Sequence, residues 1–310
     1  MKKRSVRALS LIISLIIISL CFLPAFASGG ERYRPYDNSE YFETGDYAIH
    51  YRVFPAQGEK KGRILFIHGF LCSTFAWRNM IPLFQQRGYE CVAVDLPDFG
   101  YSTRESGDME ITDREDILIS LMDELAPGEK WIIAGHSMGG GVAVNIAQRV
   151  DAKALLLYCP CPQSEFPQSI KPLMTSRAME KTMDVFFTLG TKVSPLVRLV
   201  IAAAVMDAKF ALTYDVSGVT DPVGYDGFGS GLCEMMFTVK ATDLENAASI
   251  SCPVLLVNAS RDIILNSSQK QQMADALPQA EKYTVEGGGH QCIENRAGEI
   301  AGISLDFLEK

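Results

Sequence analysis

A serine between glycines, Gly135-His136-Ser137-Met138-Gly139, separates a short apolar run, Trp131-Ile132-Ile133-Ala134, from a small-residue stretch reaching Val150. The pattern G-x-S-x-G between a strand and a helix describes a sharp turn that holds a serine out at the edge of a sheet. Glycines flank it because the turn is tight and neighbouring backbone comes close. A serine hydroxyl is a poor nucleophile at neutral pH. It requires a histidine to take its proton and an acid to hold that histidine's tautomer. The chain has four histidines. His50 sits mid-strand, where a structural role is expected, His68 follows a strand, and His136 lies inside the serine turn. His290 remains, reached through Glu286-Gly287-Gly288-Gly289, a loop able to carry an imidazole to Ser137. Asp262, after the apolar run Val254 to Val257 and before His290, is the first choice of acid, and Glu165 is the second. None of the histidines clusters with cysteines at ligand spacing, so neither a metal site nor a cofactor is expected.

These residues need a frame. Strand-like runs at 47–54, 63–67, 91–94, 131–134, 154–158, 254–257 and 282–285 alternate with helix-like stretches at 75–87, 111–125, 140–150, 267–277 and 297–308. Thr112, with Glu115 three residues on, reads as a capping box for the second helix. Such alternation implies an α/β fold: a mostly parallel central sheet with helices on both faces. The strands are continuous apolar runs, as in a sheet buried on both sides. Chemistry in such sheets gathers at the carboxyl ends of the strands, where His68-Gly69, Asp95 and Ser137 fall. The rhythm breaks between Pro160 and Ala248, a stretch with five further prolines, helical patches such as 196–212 and six methionines: Met174, Met179, Met183, Met206, Met235 and Met236. This reads as an inserted helical lid over residues 160–248, between core segments 28–159 and 249–310. Its methionines are expected to pack against the core, or also to line an acyl pocket.

With these pieces in order, the chain resembles the α/β-hydrolase superfamily from about residue 39 to the C-terminus. Phe66-Ile67-His68-Gly69-Phe70 is similar to the family's H-G-x oxyanion segment, and Asp95-Leu96-Pro97-Asp98-Phe99-Gly100-Tyr101-Ser102 to its D-x-P-G-x-G-x-S loop. Ala259-Ser260-Arg261-Asp262 resembles its G-x-x-D acid segment, and Gly289-His290 with Glu294 its C-terminal G-H…E segment. Asp98 and Ala259 stand where the family has glycine. The resemblance implies Ser137, Asp262 and His290 as the triad, in the family's chain order, and the backbone N–H groups of Phe70 and Met138 as oxyanion donors. Ser137 excludes the aspartate-nucleophile chemistry of epoxide hydrolases and haloalkane dehalogenases in this superfamily. A carboxylic-ester hydrolase acting on a small-molecule ester or related acyl substrate is expected. Acyl transfer, thioester hydrolysis, C–C bond cleavage and a low-turnover small-molecule receptor are the alternatives.

Composition bounds the setting. Lys2, Lys3, Arg4 and Arg7 precede an apolar run from Leu11 to Leu23, then Ala25-Phe26-Ala27. That is the layout of a secretory signal cleaved after Ala27, which implies a secreted or cell-envelope protein; an uncleaved membrane anchor is the alternative. Without residues 1–27 the chain has 25 basic and 37 acidic residues, a net charge of −12. Such a body argues against nucleic-acid partners and against strong binding to an anionic membrane surface. Seven cysteines remain, an odd number, so at least one is free or pairs between chains. Cys91 and Cys252 read as buried small hydrophobes. Cys72, just past the oxyanion segment, reads as packing rather than as a reactive thiol, because no basic group lies near it in sequence.

Overall fold

Eight strands form one sheet: β1 (Ser39–Thr44), β2 (Tyr47–Phe54), β3 (Gly62–Ile67), β4 (Tyr89–Val94), β5 (Ile132–His136), β6 (Ala154–Tyr158), β7 (Val254–Ala259) and β8 (Glu281–Val285). The computed structural model describes residues 32–225 and 227–310. The expected signal segment, residues 1–27 with Cys21, lies outside the described residues. The strand order is β1-β2-β4-β3-β5-β6-β7-β8. The β1–β2 and β2–β4 pairs are antiparallel, and every pair from β4 to β8 is parallel.

Alternation along each strand explains the continuous apolar runs. Leu65, Ile67, Ile133, Leu155, Leu157 and Leu256 face one core. Their strand neighbours Ile64, Phe66, Ile132, Leu156, Leu255 and Val257 face another on the opposite side. Successive side chains point to opposite faces of a strand, so a sheet covered on both sides needs apolar residues at every position. Each such side chain contributes about 1.5–3 kcal/mol on burial, which makes β3, β5 and β6 a rigid base for whatever their ends carry.

Three local expectations are corrected. The run 75–87 is not one helix; a 3-10 turn at Thr74–Trp77 is followed by a short helix, Ile81–Gln85. Pro82 lacks an N–H and its ring would strike the carbonyl four residues back, so it starts a new helix instead of continuing one. The helix expected from 111 begins at Arg114, with Asp113 at its N-cap and no side-chain cap bond, so Thr112 forms no capping box. The Thr112 N–H instead meets the Tyr47 hydroxyl at 3.3 Å. Strand β1 was not read from the sequence at all. It pairs with β2 from Ser39↔Arg52 to Thr44↔Tyr47 through a two-residue turn in which Gly45 has φ 52°, as hairpin turns require.

Between β6 and β7 the chain leaves the sheet for a set of helices that includes Arg177–Thr191, Ser194–Val205, Ala208–Leu212, Ser217–Gly224 and Phe228–Thr238. Met235 joins the core under the first face of the sheet, while Met174, Met179, Met183, Met206 and Met236 are only partly buried.

Candidate active site

Ser137 joins β5 to the helix Met138–Ala147 with φ 52° and ψ −121°. This backbone conformation is costly for a residue with a Cβ, by roughly 1–3 kcal/mol, so its surroundings must impose it. The Ser137 N–H donates to the Tyr158 carbonyl at 3.0 Å, and its carbonyl accepts from Gly140 and Cys161, both at 2.9 Å. The flanking glycines are needed for space. A Cβ on Gly135 would run into the Gly139 carbonyl, and one on Gly139 into the carbonyls of Ile67 and His68. The turn can therefore close only with glycine at both places.

The other sequence candidates arrive from neighbouring strand ends. Asp262 follows β7 and His290 follows β8. His290 Nε2 lies 2.8 Å from Ser137 Oγ, and its Nδ1 lies 2.8 Å from Asp262 Oδ2. With the proton on Nδ1 directed at the carboxylate, Nε2 is free to accept from the serine hydroxyl. Asp262 Oδ1 accepts from the backbone N–H groups of Ile264 at 2.8 Å and Leu265 at 3.0 Å, which fixes the carboxylate plane. Burial alone would raise the Asp262 pKa, but the hydrogen bond and charge of His290 outweigh it and hold the carboxyl below its ordinary value. The second candidate acid, Glu165, is exposed in the loop after β6, and no hydrogen bond joins it to His290.

The two candidate oxyanion donors flank the serine. A Cβ on Gly69 would lie 3.0 Å from Ser137 Cβ, so the turn carrying Phe70 packs against Ser137. Met138 opens the helix that follows Ser137, where N–H groups have no partner within the helix. Neither the Phe70 nor the Met138 N–H has a hydrogen-bond acceptor among the described residues.

His136 is not the base, and it has a structural part that its sequence neighbours do not reveal. Its Nε2 lies 2.9 Å from the His290 carbonyl, and the two rings tilt together with centroids 5.1 Å apart. Burial, and after it the neighbouring His290, push its pKa down to about 3, so the ring is neutral and donates to that carbonyl. Its position inside the pentapeptide was the available signal. His50 and His68 serve the scaffold. Asp95 accepts from His50 Nδ1 at 2.7 Å, from the Thr74 N–H at 2.6 Å and from the Tyr101 N–H at 3.0 Å. His68 Nε2 accepts from the Leu96 N–H at 3.1 Å. Together they tie the loop after β4 to the oxyanion turn after β3.

Two further clusters border the site. Glu294 is buried and bonded to Arg78, to the Tyr214 hydroxyl and to Gln291, joining the inserted helices to the loop that carries His290. Cys72 beside it is pushed up to about 12, by burial and then by Glu294, and stays a thiol at neutral pH. All seven described cysteines are free, and Cys91 and Cys252 are buried. One group of ligand-type atoms within 4.8 Å of one another, on Cys159, Asp262 and His290, occurs among the described residues. Two of its three members are already engaged with each other in the Asp262–His290 pair.

Asp98, where the family has glycine, has φ 72°. It is buried, bonds Arg114 at 2.5 Å and accepts from the Glu105 N–H at 2.7 Å. The aspartate thus exchanges backbone ease for a buried hydrogen-bonded network with Arg114 and Glu105.

A family model described as the alpha/beta hydrolase fold matches residues 62–296. The chain belongs to the α/β-hydrolase fold family. It is an esterase- or lipase-like hydrolase within it. The chain is 25% identical over 281 residues to a Bos taurus protein named monoacylglycerol lipase ABHD6, covering 86% of this chain and 81% of that one. It is 24% identical to an uncharacterized hydrolase of Bacillus subtilis, YugF, covering 86% and 97%. Among solved structures, the enol-lactonase from Burkholderia xenovorans LB400 superposes with a TM-score of 0.68 at 16% identity, over 87% of this chain and 100% of that one. The last likeness concerns the fold alone.

Proposed function

We propose that the protein is an exported carboxylic-ester hydrolase working through Ser137, His290 and Asp262. Ser137 Oγ attacks the ester carbonyl carbon while His290 Nε2 takes the serine proton. Asp262 stabilises the imidazolium that forms. The N–H groups of Phe70 and Met138 hold the oxyanion, each donor contributing about 3 kcal/mol to lowering the barrier. The tetrahedral adduct collapses as His290 returns the proton to the leaving alkoxide, and the acyl group stays on Ser137. A water molecule, deprotonated by His290, then attacks the acyl carbon and releases the carboxylic acid and the free serine.

The observation that carries this reading is the unbroken line from Ser137 Oγ through the His290 ring to Asp262, with both spacings at 2.8 Å. Side chains so placed from β5, β7 and β8 satisfy the nucleophile–base–orienter geometry that acyl transfer requires. Export rests on the basic-then-apolar start of the sequence. The relative named monoacylglycerol lipase makes a monoacylglycerol the first ester to try.

A fluorophosphonate probe followed by intact-protein mass measurement tests the mechanism. One adduct on Ser137, absent from Ser137→Ala, is expected. Equal labelling of the two proteins would sink the proposal. Chromogenic esters of increasing acyl length, run beside thioester and amide analogues, then define the substrate.

A further inference from the structure

The net charge of −8 hides an uneven distribution. Residues 166–212 contain six basic and three acidic side chains, a local net of +3. Around the sheet, Lys60, Arg63, Arg87, Arg114 and Arg149 all have carboxylate partners. In the insertion, Arg177, Lys181 and Lys192 are exposed and have no carboxylate partner among the described residues.

The same segment exposes apolar side chains. The helices Arg177–Thr191 and Ser194–Val205 meet at 90° with Lys192-Val193 between them. Phe186, Leu189, Val193, Leu196, Leu199 and Val200 recur at three- and four-residue steps along that elbow, and all are exposed. Phe186 is 64% exposed and Leu199 66%, although large apolar side chains at helical spacing ordinarily mark a buried face. Neither helix is long and apolar enough to cross a bilayer, and the bend is sharp. Exposed apolar residues at helical spacing, with exposed cations on the same segment, suit an element lying in the plane of a lipid interface.

We propose that this elbow docks the protein on an anionic lipid surface. Phe186, Val193 and Leu199 enter the boundary between headgroups and acyl chains, and Arg177, Lys181 and Lys192 meet lipid phosphates. A second copy of the chain is the poorer occupant. A two-fold interface apposes the same patch from each copy, which would crowd the unpaired cations of both copies into one contact, whereas a phosphate-rich surface supplies the opposite charge. The overall acidity, which argues against anionic membranes, describes the whole chain and not this face. The docked element also touches the site. The carbonyl of Ala204, in the last turn of the second helix, accepts from the N–H of Gln291, the residue after His290, at 3.0 Å. The Val205 carbonyl accepts from Asn295 Nδ2 at 3.3 Å. The proposal stands without the ester-hydrolase reading, and its test needs no turnover.

The full chain carries its own apolar N-terminal run, so vesicle binding alone would not locate the contact. A local reporter does. The only two tryptophans, Trp77 and Trp131, are buried, so Leu189→Trp or, on the same arm nearer its middle, Phe186→Trp reads the elbow alone. Vesicles of phosphatidylcholine with phosphatidylglycerol, brominated on the acyl chains, should shift the added tryptophan's emission to the blue and quench it. The unmodified protein should show neither effect. K181Q/K192Q in the reporter background should weaken docking about fivefold per lysine. Absence of quenching in both reporters overturns the proposal. So does equal quenching on pure phosphatidylcholine with no effect of the lysine changes. A blue shift that grows with protein concentration without vesicles, accompanied by dimer elution, would assign the face to a second copy and overturn it as well.

Discussion

In β6, Leu155, Leu156 and Leu157 are wholly buried on alternating sides of the sheet, whereas in the insertion Leu196 and Leu199 stand half or more exposed. The two regions treat charge as differently as they treat apolar surface. Around the sheet, the buried Arg114 guanidinium bonds both Asp98 and Glu105. On the elbow, the exposed Arg177, Lys181 and Lys192 have no carboxylate partner among the described residues. The sheet fixes atoms: Ser137, Asp262 and His290 come from three strand ends and meet at hydrogen-bond distances, which only a well-packed base can guarantee. The insertion presents surface, where area and charge matter more than placement to a fraction of an ångström. Chemistry should therefore fail steeply when the sheet's residues change, and contact with a surface should fade gradually when the elbow's residues change.

The steepest test is Ser137→Ala. Ester turnover should fall by about a million-fold, as for loss of a serine nucleophile elsewhere, with unchanged circular dichroism; appreciable residual turnover would break the contrast. Asp262→Asn should cost about ten-thousand-fold in kcat by stabilising the wrong imidazole tautomer. Glu165→Gln, the rival acid, should stay within about twofold, as an exposed polar change does. His136→Phe leaves the His290 carbonyl without its donor at a cost of about 1–3 kcal/mol. We expect kcat to drop by about tenfold or somewhat more with KM nearly unchanged, because the base moves and the binding surface does not. By contrast, Leu199→Ser on the elbow should alter kcat/KM on a short water-soluble ester by no more than about twofold.

The last test concerns stability and pH. Burial, opposed by Arg114 and reinforced by Glu105, raises the Asp98 carboxyl to about 8. Between its ordinary value and about 8 the folded chain holds a proton there that the unfolded chain lacks, so stability decreases as pH rises through that window. The unfolding temperature should decline on the way from neutral to about pH 8, and Asp98→Asn should flatten that slope. A slope that survives the substitution would assign it to other groups.

Much of this was legible in the residues. Ser137 was marked by its glycines, His290 by the scarcity of histidines and Asp262 by its place after a strand. Their meeting follows from parallel strands that deliver all their carboxyl ends to one edge. The sheet was legible because β6 and most of β3 and β5 are apolar at successive positions. What escaped depended on partners distant in sequence. The polar strand β1 exists because β2 pairs with it, and its own pattern carries little signal. The break at Pro82 sits inside a run whose spacing otherwise suits a helix. The tie between His136 and His290 spans 154 residues, and the elbow's exposure was invisible because apolar helical spacing reads as burial.

The backbone at Ser137 carries a consequence of another kind. Its φ of 52° is a conformation that folding by itself would not select, and neighbouring glycines and the Tyr158 carbonyl hold it in place. The turn is therefore a point where stability and activity pull apart. A glycine in place of Ser137 would relax the strain and, under the proposed mechanism, leave the protein sturdier and inert. Under the proposed mechanism, a chain that still places serine there keeps its nucleophile at the expense of its own thermal margin.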